Sequence, residues 1–285
     1  MKQNCRVCKS SNSKFLFEIN NNRFMRCRNC THVFLDIIHD EYSIRKMYES
    51  YGTERGLSYL QGIDSKTLDN INTYLKSCQK YCLTKTPTLR LMDIGFGTGE
   101  LLDRANKLGF TVEGIEICET LAKNSSKKIA CTVHNNLLSH LTLSKESFDV
   151  IIMYDLLEHL QDPISDVKIA YDLLKKGGVL FILSPNDDAL IRKFSKLVYF
   201  LSIHHLDKLM QLLYYQDHLS YFTRKSLITF LKGIGFEIIS IEVRNQELGR
   251  LQLSPILKLG VRLVFHISRY FSNSGGKFIV YARKT

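Results

Sequence analysis

The pattern of hydrophobic and polar positions divides the chain into three parts. Residues 1–40 contain the short alternating stretches KFLFEI and RFMRC, which predict a small β-ribbon. Residues 41–88 show no strand pattern, but SKTLDNINTYLKSCQKYCL has apolar side chains at helical spacing and is followed by TKTPT. We therefore expect a linker of one or more helices before the main domain, which is predicted at residues 89–285.

The main domain begins with the apolar run LRLMDI, a glycine-rich turn and the helix-like segment GELLDRANKLGF. Strand, glycine turn and helix form the start of a βαβ unit, which binds ligands at the carboxyl ends of its strands. Gly95, Gly97 and Gly99 permit positive φ angles and let a ligand lie against bare backbone. Because Asp93 precedes the turn and Glu100 replaces the last glycine of a dinucleotide fingerprint, a cationic ligand fits better than a pyrophosphate.

Four of the eight cysteines lie in the predicted ribbon, as Cys5, Cys8, Cys27 and Cys30. Their C-x2-C-x18-C-x2-C spacing is typical of a zinc site with four cysteine ligands. A closed site of four thiolates has no open position for a substrate, so the predicted zinc is structural. The alternative is a pair of disulfides, which a cytoplasmic location disfavours.

Composition bears on location and partners. No apolar run approaches the ~18 residues of a membrane span, and the first residues lack the apolar stretch of a secretory signal, so a cytoplasmic protein is expected. The formal net charge of +11 favours anionic partners such as nucleic acid, a phosphorylated carrier or an anionic membrane surface. The alternative is that the basic residues simply form a lysine-rich surface exposed to solvent.

Two segments, LIRKFSKLVYFL and SPILKLGVRLVFHISRYF, are both apolar and basic, and the second has its basic residues at helical spacing. In the second, basic residues recur on one side, and apolar residues such as Leu263 and Ile267 lie on the other. We expect this apolar side to pack on the sheet. Alternatively, both segments rest on an anionic bilayer and give the protein a peripheral location at the inner membrane surface.

The sequence around the glycine turn, MDIGFGTGE, resembles the first motif of the class I S-adenosylmethionine-dependent methyltransferases. Later segments resemble further motifs of that family in the same order, with FTVEGIEI as the second strand, SFDVIIMYDLLEHLQDP as the fourth strand and its loop, and LLKKGGVLFILSPN as the fifth strand. The resemblance covers residues 89–285. It implies a Rossmann-like α/β sheet with helices on both faces and S-adenosylmethionine as the cofactor.

The same resemblance implies which residues contact the cofactor. Glu116 stands where the family has an acidic residue that accepts hydrogen bonds from both ribose hydroxyls. Asn136 takes a position where the family often has an aspartate facing the adenine, and Tyr154 lines the cofactor pocket. The first motif supplies the remaining contacts, Asp93, Gly95, Gly97 and Gly99.

Beyond the fifth strand, residues 186–222 are expected to form a lid over the acceptor site. The segment YQDHLSYFTRKSLITFLKGIGFE resembles zinc-ribbon methyltransferases, among them sugar C-methyltransferases that carry a further C-terminal domain. This resemblance implies that Tyr215, Asp217 and His218 serve proton transfer, and a histidine suits this role at neutral pH. The alternative for His218 is a structural role, either as a helix cap or as a partner of a buried backbone group.

A second candidate site is Asp155, Glu158 and His159 in the sequence YDLLEH. It is similar to a phrase of the ubiquinone-pathway O-methyltransferases that has been linked to a divalent ion. We expect that His159 shapes this loop and binds no metal, and we retain His159 as an alternative base.

The leading functional expectation is methyl transfer from S-adenosylmethionine to a small-molecule or carrier-linked acceptor, such as a sugar or polysaccharide precursor. The alternatives are an RNA methyltransferase that binds RNA through its ribbon, a quinone-type O-methyltransferase, and a non-catalytic cofactor-binding partner subunit. Methylation at carbon, oxygen or nitrogen is left open.

Overall fold

The computed structural model describes residues 3–52, 65–129, 131–202, 208–215, 217–245, 255–268, 270 and 274–285. The strands within these ranges are, in chain order, β1 (Ser13–Ile19), β2 (Asn22–Cys27), β3 (Val33–Leu35), β4 (Arg90–Ile94), β5 (Thr111–Ile115), β6 (Thr132–His134), β7 (Phe148–Tyr154), β8 (Leu174–Pro185), β9 (Ser220–Tyr221), β10 (Phe236–Arg244) and β11 (Lys277–Lys284).

The helices of the same residues are α1 (Glu41–Glu49), α2 (Ser65–Tyr81), α3 (Glu100–Lys107), α4 (Glu119–Lys128), α5 (Pro163–Leu173), α6 (Leu190–Leu201), α7 (Lys208–Leu213), α8 (Arg224–Ile234) and α9 (Pro255–Ser268). Short 3-10 helices occur at Ser50–Gly52, Leu138–His140 and Leu157–His159. None of these described helices combines the length and the apolar character that a membrane crossing requires.

Within the described residues, the larger sheet has seven strands in the order β10-β11-β8-β7-β4-β5-β6. The strands from β8 to β6 run parallel, whereas β11 lies antiparallel to β8 and β10 lies antiparallel to β11. The central strand β7 is buried over nearly its whole length, as expected for a parallel strand with both faces covered. Apolar clusters fill both faces of the sheet, and the predicted Rossmann-like α/β fold is confirmed.

The predicted β-ribbon is present and belongs to a second, antiparallel sheet in the order β1-β2-β3-β9. Strand β9 comes from the predicted lid, with Ser220 opposite Phe34 and Tyr221 opposite Val33. The ribbon and the lid therefore share one sheet although they lie far apart in the sequence.

The ribbon and the lid also share an apolar core. The rings of Phe17 and Phe24 pack edge-on against Tyr214, with ring centroids 4.8 and 5.4 Å away. At the other end of the ribbon, Arg6 Nη1 donates to the backbone oxygen of Gln161 over 2.6 Å. The limits of ribbon, linker and lid at residues 40, 88 and 186–222 stay predictions, but the described contacts place the ribbon directly against the lid.

Helices α1 and α2 lie in the predicted linker. On α2, Ile71, Leu75 and Cys78 are buried, as the helical spacing predicts, and they join the apolar cluster on one face of the larger sheet. Helix α1 has no fully buried side chain. Its contacts are instead with loops at the carboxyl ends of the parallel strands, where the candidate site lies.

The last helix, α9, corrects one expectation. Its side chains Val261 and Phe265 are buried in a cluster that also contains side chains of α6. Leu263 and Ile267, which were expected to pack on the sheet, are 60% and 39% exposed. The helical pattern allows two apolar sides, and the helix buries the side that meets α6. Residues 254, 269 and 271 of the predicted segment lie outside the described residues.

Candidate active site

The turn after β4 leaves a stretch of bare backbone beside open space. Gly95, Gly97 and Gly99 have φ angles of 73°, 58° and 79°, in the left-handed region that favours glycine. A Cβ added to Gly97 would meet no atom within 4 Å, whereas one on Gly95 would approach Leu156 Cδ1 at 2.9 Å. Gly97 therefore faces a space in which a ligand can contact the backbone.

Two buried carboxyl groups border this turn. Asp93 belongs to β4, and Glu116 follows β5. Glu116 accepts hydrogen bonds from the backbone N–H of Gly97, over 2.8 Å, and from that of Cys118, over 2.9 Å. Burial raises the pKa of both carboxyl groups, and for Asp93 the charge of Glu116 adds to the effect. A positive charge placed between them would stabilise their ionised forms.

Helix α1 lies across the carboxyl ends of the strands and contacts both halves of the site. Arg45 Nη2 donates to Asn136 Oδ1 over 2.9 Å, and Glu49 accepts a hydrogen bond from the backbone N–H of Glu119 over 3.1 Å. The ring of Tyr48 lies 6.2 Å from the ring of His159. Sequence reasoning missed these residues, because their partners lie in loops far along the chain.

Tyr154 ends β7 and is half-buried, and Asp155 follows it with a left-handed φ of 51°. The Asp155 carboxylate accepts two hydrogen bonds from Lys277 Nζ, over 2.7 and 2.5 Å. Lys277 begins β11, and the sequence pattern did not single it out. Among the described residues, the Asp155 carboxylate is thus paired with a lysine and is not one of the three groups whose ligand atoms cluster, although its charge acts on Glu158 and His159.

A different third member takes that place. Within the residues that the structure describes, the ligand atoms of Glu158, His159 and His218 lie within 4.8 Å of one another. The two imidazole rings meet edge-on, with centroids 4.6 Å apart. The structure thus brings together His159 and His218, which were predicted as alternative bases from two separate motifs. Two imidazoles and a carboxylate are also ligands that a divalent ion accepts.

The hydrogen bonds of this cluster define its proton donors and acceptors. Nδ1 of His159 lies 3.0 Å from the backbone oxygen of Asp217, which can only accept, so Nδ1 carries the proton and Nε2 keeps a lone pair. Ser184 Oγ donates to the Glu158 carboxylate over 3.0 Å. Burial, with the charge of Asp155 second, raises the pKa of Glu158 to about 8.

Burial lowers the pKa of His159 and, more strongly, that of His218. For His218 the nearby His159, Arg192 and Lys277 add to the effect of burial. Both rings are therefore neutral at pH 7 and able to accept a proton.

The predicted Tyr215–Asp217–His218 set is only partly brought together. The ring of the exposed Tyr215 lies 5.1 Å from that of His218. The contact that Asp217 makes with His159 is through its backbone oxygen. A tyrosine of β9, Tyr221, lies 5.8 Å from His218 and is completely buried.

The four ribbon cysteines form a separate cluster with all four Sγ atoms within 4.8 Å of one another. Cys5 Sγ lies 3.6 Å from Cys30 Sγ, and Cys8 Sγ lies 3.5 Å from Cys27 Sγ. These separations exclude disulfide bonds, whose sulfur atoms are about 2 Å apart. They are close to the ~3.8 Å edge of a tetrahedron with zinc–sulfur bonds of ~2.3 Å.

A family model described as a methyltransferase domain matches residues 59–241, which is more than half of the chain. The ubiquinone biosynthesis O-methyltransferase of Haemophilus ducreyi is 31% identical over 107 residues, covering 34% of this chain and 45% of that protein. The enzyme of the same name from Pelagibacter ubique is 33% identical over 102 residues, covering 34% of this chain and 42% of that protein. The chain thus spans less than half the length of these curated relatives.

Solved structures share the fold at low sequence identity. The [4+2]-cyclase SpnF has a TM-score of 0.60 and 14% identity, covering 87% of this chain and 97% of that one. Magnesium protoporphyrin IX methyltransferase of Synechocystis PCC 6803, solved with bound SAH, has a TM-score of 0.55 and 14% identity. The match covers 85% of this chain and 100% of that one. A SAM-dependent methyltransferase of Archaeoglobus fulgidus has a TM-score of 0.52 and 19% identity, covering 76% and 94%.

Proposed function

Because this chain belongs to the methyltransferase domain family, we propose that it transfers the methyl group of S-adenosylmethionine to a small-molecule or carrier-linked acceptor. The observation that carries the proposal is the acidic glycine turn, where Asp93 and Glu116 are buried beside the bare backbone of Gly97. The cofactor supplies an electrophilic methyl carbon on a positively charged sulfur. Buried carboxyl groups suit such a cationic ligand better than a phosphate.

The residues at the strand ends fit this cofactor. Each Glu116 oxygen accepts one backbone hydrogen bond and keeps a further lone pair for a ribose hydroxyl. Asp93 Oδ1 is buried and has no hydrogen-bond partner within the described part of the chain, as expected where a ligand completes the site. We place the adenine beside Asn136, which Arg45 orients, and we assign Tyr154 to the pocket wall.

Proton removal from the acceptor is assigned to the histidine pair. The acceptor hydroxyl, amine or carbon acid must lose a proton when it is methylated. The bond from Nδ1 to Asp217 fixes the tautomer of His159, so Nε2 has the lone pair that can take this proton. His218 lies edge-on to it and is the alternative base. Tyr215 and Asp217 then position this pair.

For the acceptor we retain a sugar or polysaccharide precursor as the leading class. A quinone-type O-acceptor is the second candidate, since the curated relatives are ubiquinone biosynthesis O-methyltransferases over the aligned third of this chain. RNA methylation is the third candidate, supported by the net charge of +11 and by the presence of a four-cysteine ribbon.

Incubating the protein with S-adenosylmethionine labelled in its methyl group and a metabolite extract tests the proposal. We expect label in one class of small molecule, whose identification decides between sugar-type and quinone-type acceptors. Label in RNA would favour the RNA alternative. Cofactor binding without transfer to metabolites or RNA would favour the non-catalytic partner subunit.

We also propose that Cys5, Cys8, Cys27 and Cys30 hold a structural zinc ion. The support is the short distance between the four sulfur atoms and their lack of disulfide bonding. Four thiolates fill the tetrahedral coordination of zinc, which is typical of a structural site. A small ribbon gains from the metal the stability that its limited core does not supply.

Replacing Cys27 with serine should lower the zinc content of the purified protein, because a serine hydroxyl is a poor substitute for a thiolate ligand. Since β9 is part of the ribbon sheet and directly follows the His218 loop, turnover should fall as well. The affinity for S-adenosylmethionine should stay within about twofold of wild type, because the residues assigned to the cofactor belong to the larger sheet and its loops and not to the ribbon. Metal analysis and calorimetric titration measure the two effects.

The matched control is Cys131→Ser, because Cys131 is a half-buried cysteine outside the cluster. It should retain the wild-type zinc content. Wild-type protein purified without chelators and free of zinc would contradict the assignment, and so would equal zinc content in the Cys27 and Cys131 variants.

A further inference from the structure

Helix α6 of the predicted lid and helix α9 carry exposed apolar side chains, and we call the surface they form the α6–α9 face. The two helices pack against each other. The exposed side chains of the face are Phe194, Leu197, Phe200 and Leu201 of α6, Leu263 and Ile267 of α9, and Tyr270 just after α9. Leu201 and Tyr270 are 75% and 77% exposed. Neighbouring exposed apolar side chains in such number are typical of an interaction surface.

The core of the protein does not use this face. Helix α6 buries Ile191 and Tyr199 on its other side, and α9 buries Val261 and Phe265 there, in one cluster with the ribbon. Both helices therefore already have their internal contacts. The exposed apolar side chains are additional to those that hold the helices in place.

The two helices of the face carry charged side chains of one sign only. The sequences of α6 and α9, LIRKFSKLVYFL and PILKLGVRLVFHIS, contain no aspartate or glutamate. Lys193 and Arg262 are exposed, whereas Lys196 is paired with Asp187 over 2.9 Å. The face thus combines apolar side chains with basic groups that have no acidic residue on their own helices.

We propose that the α6–α9 face binds the surface of an anionic lipid bilayer. Acyl chains near the headgroups take up the apolar side chains, and anionic headgroups attract Lys193 and Arg262. A second copy of this chain fits less well, because a two-fold contact would bring the basic groups of two identical faces together. The binding does not depend on methyl transfer.

Helix α6 connects this face to the candidate site. On its buried side, the guanidinium of Arg192 lies 4.7 Å from the ring centroid of Tyr214 and 4.9 Å from that of Tyr221. Tyr221 in turn lies beside His218. Helix α6 thus carries the proposed bilayer surface on one side and, through Arg192 and Tyr221, adjoins the histidine pair on the other.

Co-sedimentation of the full chain with vesicles tests the proposal. The protein should pellet with phosphatidylcholine–phosphatidylglycerol vesicles at low salt, pellet less as salt rises, and pellet weakly with phosphatidylcholine alone. The double variant Leu197→Ser/Leu201→Ser should reduce the bound fraction at every salt concentration. Lys193→Glu and Arg262→Glu should each weaken binding by about fivefold or more at low salt.

Matched controls separate this face from general surface effects. Leu83 is 60% exposed outside the face, so Leu83→Ser controls for loss of an exposed leucine. Lys232 is an exposed lysine of α8, so Lys232→Glu controls for the change in net charge. Both controls should bind vesicles like wild type, and titration with S-adenosylmethionine checks that every variant is folded.

Two results would overturn the proposal. One is the failure of wild-type protein to bind anionic vesicles at low salt. The other is equal binding by the face variants and their controls. If light scattering instead shows a dimer that the Leu197→Ser/Leu201→Ser variant loses, the face is an interface between two copies of the chain.

Discussion

Replacing His159 with alanine should lower turnover by ~10²–10⁴-fold and leave the affinity for S-adenosylmethionine within about twofold of wild type. Nδ1 of His159 is held by the backbone oxygen of Asp217, which leaves Nε2 as the proton acceptor that alanine removes. Turnover is measured with the methyl-labelled cofactor and affinity by calorimetric titration. A loss confined to turnover distinguishes a base from a residue that shapes the cofactor pocket.

The pH dependence of the wild-type rate provides a second readout. Burial lowers the pKa of His159, although Asp217 and Asp155 oppose the effect. The free ring is then already neutral at pH 7, so the rate should be level across neutral pH. It should fall only in the acid range, where Nε2 becomes protonated. The residual activity of the His159 variant should lack this acid limb.

Two variants complete the test. His140→Ala removes an exposed histidine outside the cluster and should behave like wild type. His218→Ala decides between the two members of the pair. If His218→Ala loses turnover and His159→Ala does not, His218 is the base. Wild-type turnover in both single variants would contradict proton transfer to either ring.

Replacing Gly97 with valine should abolish measurable binding of S-adenosylmethionine. At a φ of 58° a β-branched residue is strained, and its side chain would project into the open space where the ligand meets the backbone. The same change disturbs the N–H that donates to Glu116. Calorimetric titration measures the loss.

A control substitution at a second glycine distinguishes two causes of lost affinity, backbone strain and steric exclusion of the ligand. Gly109 also has a left-handed φ, of 88°, and an added Cβ there would also meet nothing within 4 Å. It precedes β5, however, and so lies at the amino ends of the parallel strands, away from the glycine turn. Gly109→Val should lower stability and retain cofactor affinity. Equal affinity losses in the two variants would mean that strain alone is responsible, and the assignment of the cofactor site would fail.

The parts of the molecule that depend on neighbouring residues in sequence were predictable. The run LRLMDI and the glycines after it predict a strand and a turn, and the structure has β4 followed by three glycines with positive φ. The spacing within each Cys-x-x-Cys pair likewise sets a local turn, and the four thiols cluster as predicted. A few adjacent residues determine the glycine turn and each Cys-x-x-Cys turn, although the two cysteine pairs meet across up to 25 residues.

Features that depend on contacts between distant residues were not predictable from one sequence. Lys277 binds Asp155 across 122 residues, and Arg45 binds Asn136 across 91 residues, with no periodic pattern to indicate either pair. Strand β9 has only two residues, too few for alternation to be visible. In α9 the pattern offers two apolar sides, and only the position of α6 decides which one is buried.

The strand that the lid contributes to the ribbon has a consequence for synthesis of the protein. The ribbon leaves the ribosome before β9, yet β9 completes its sheet, and the neighbouring bond between Thr31 and Thr223 spans 192 residues. Until then β3 has an open edge lined by Val33, Phe34 and Leu35. Contacts of this range close slowly, and open apolar edges aggregate. Until β9 has been made, the nascent ribbon thus needs protection by a chaperone.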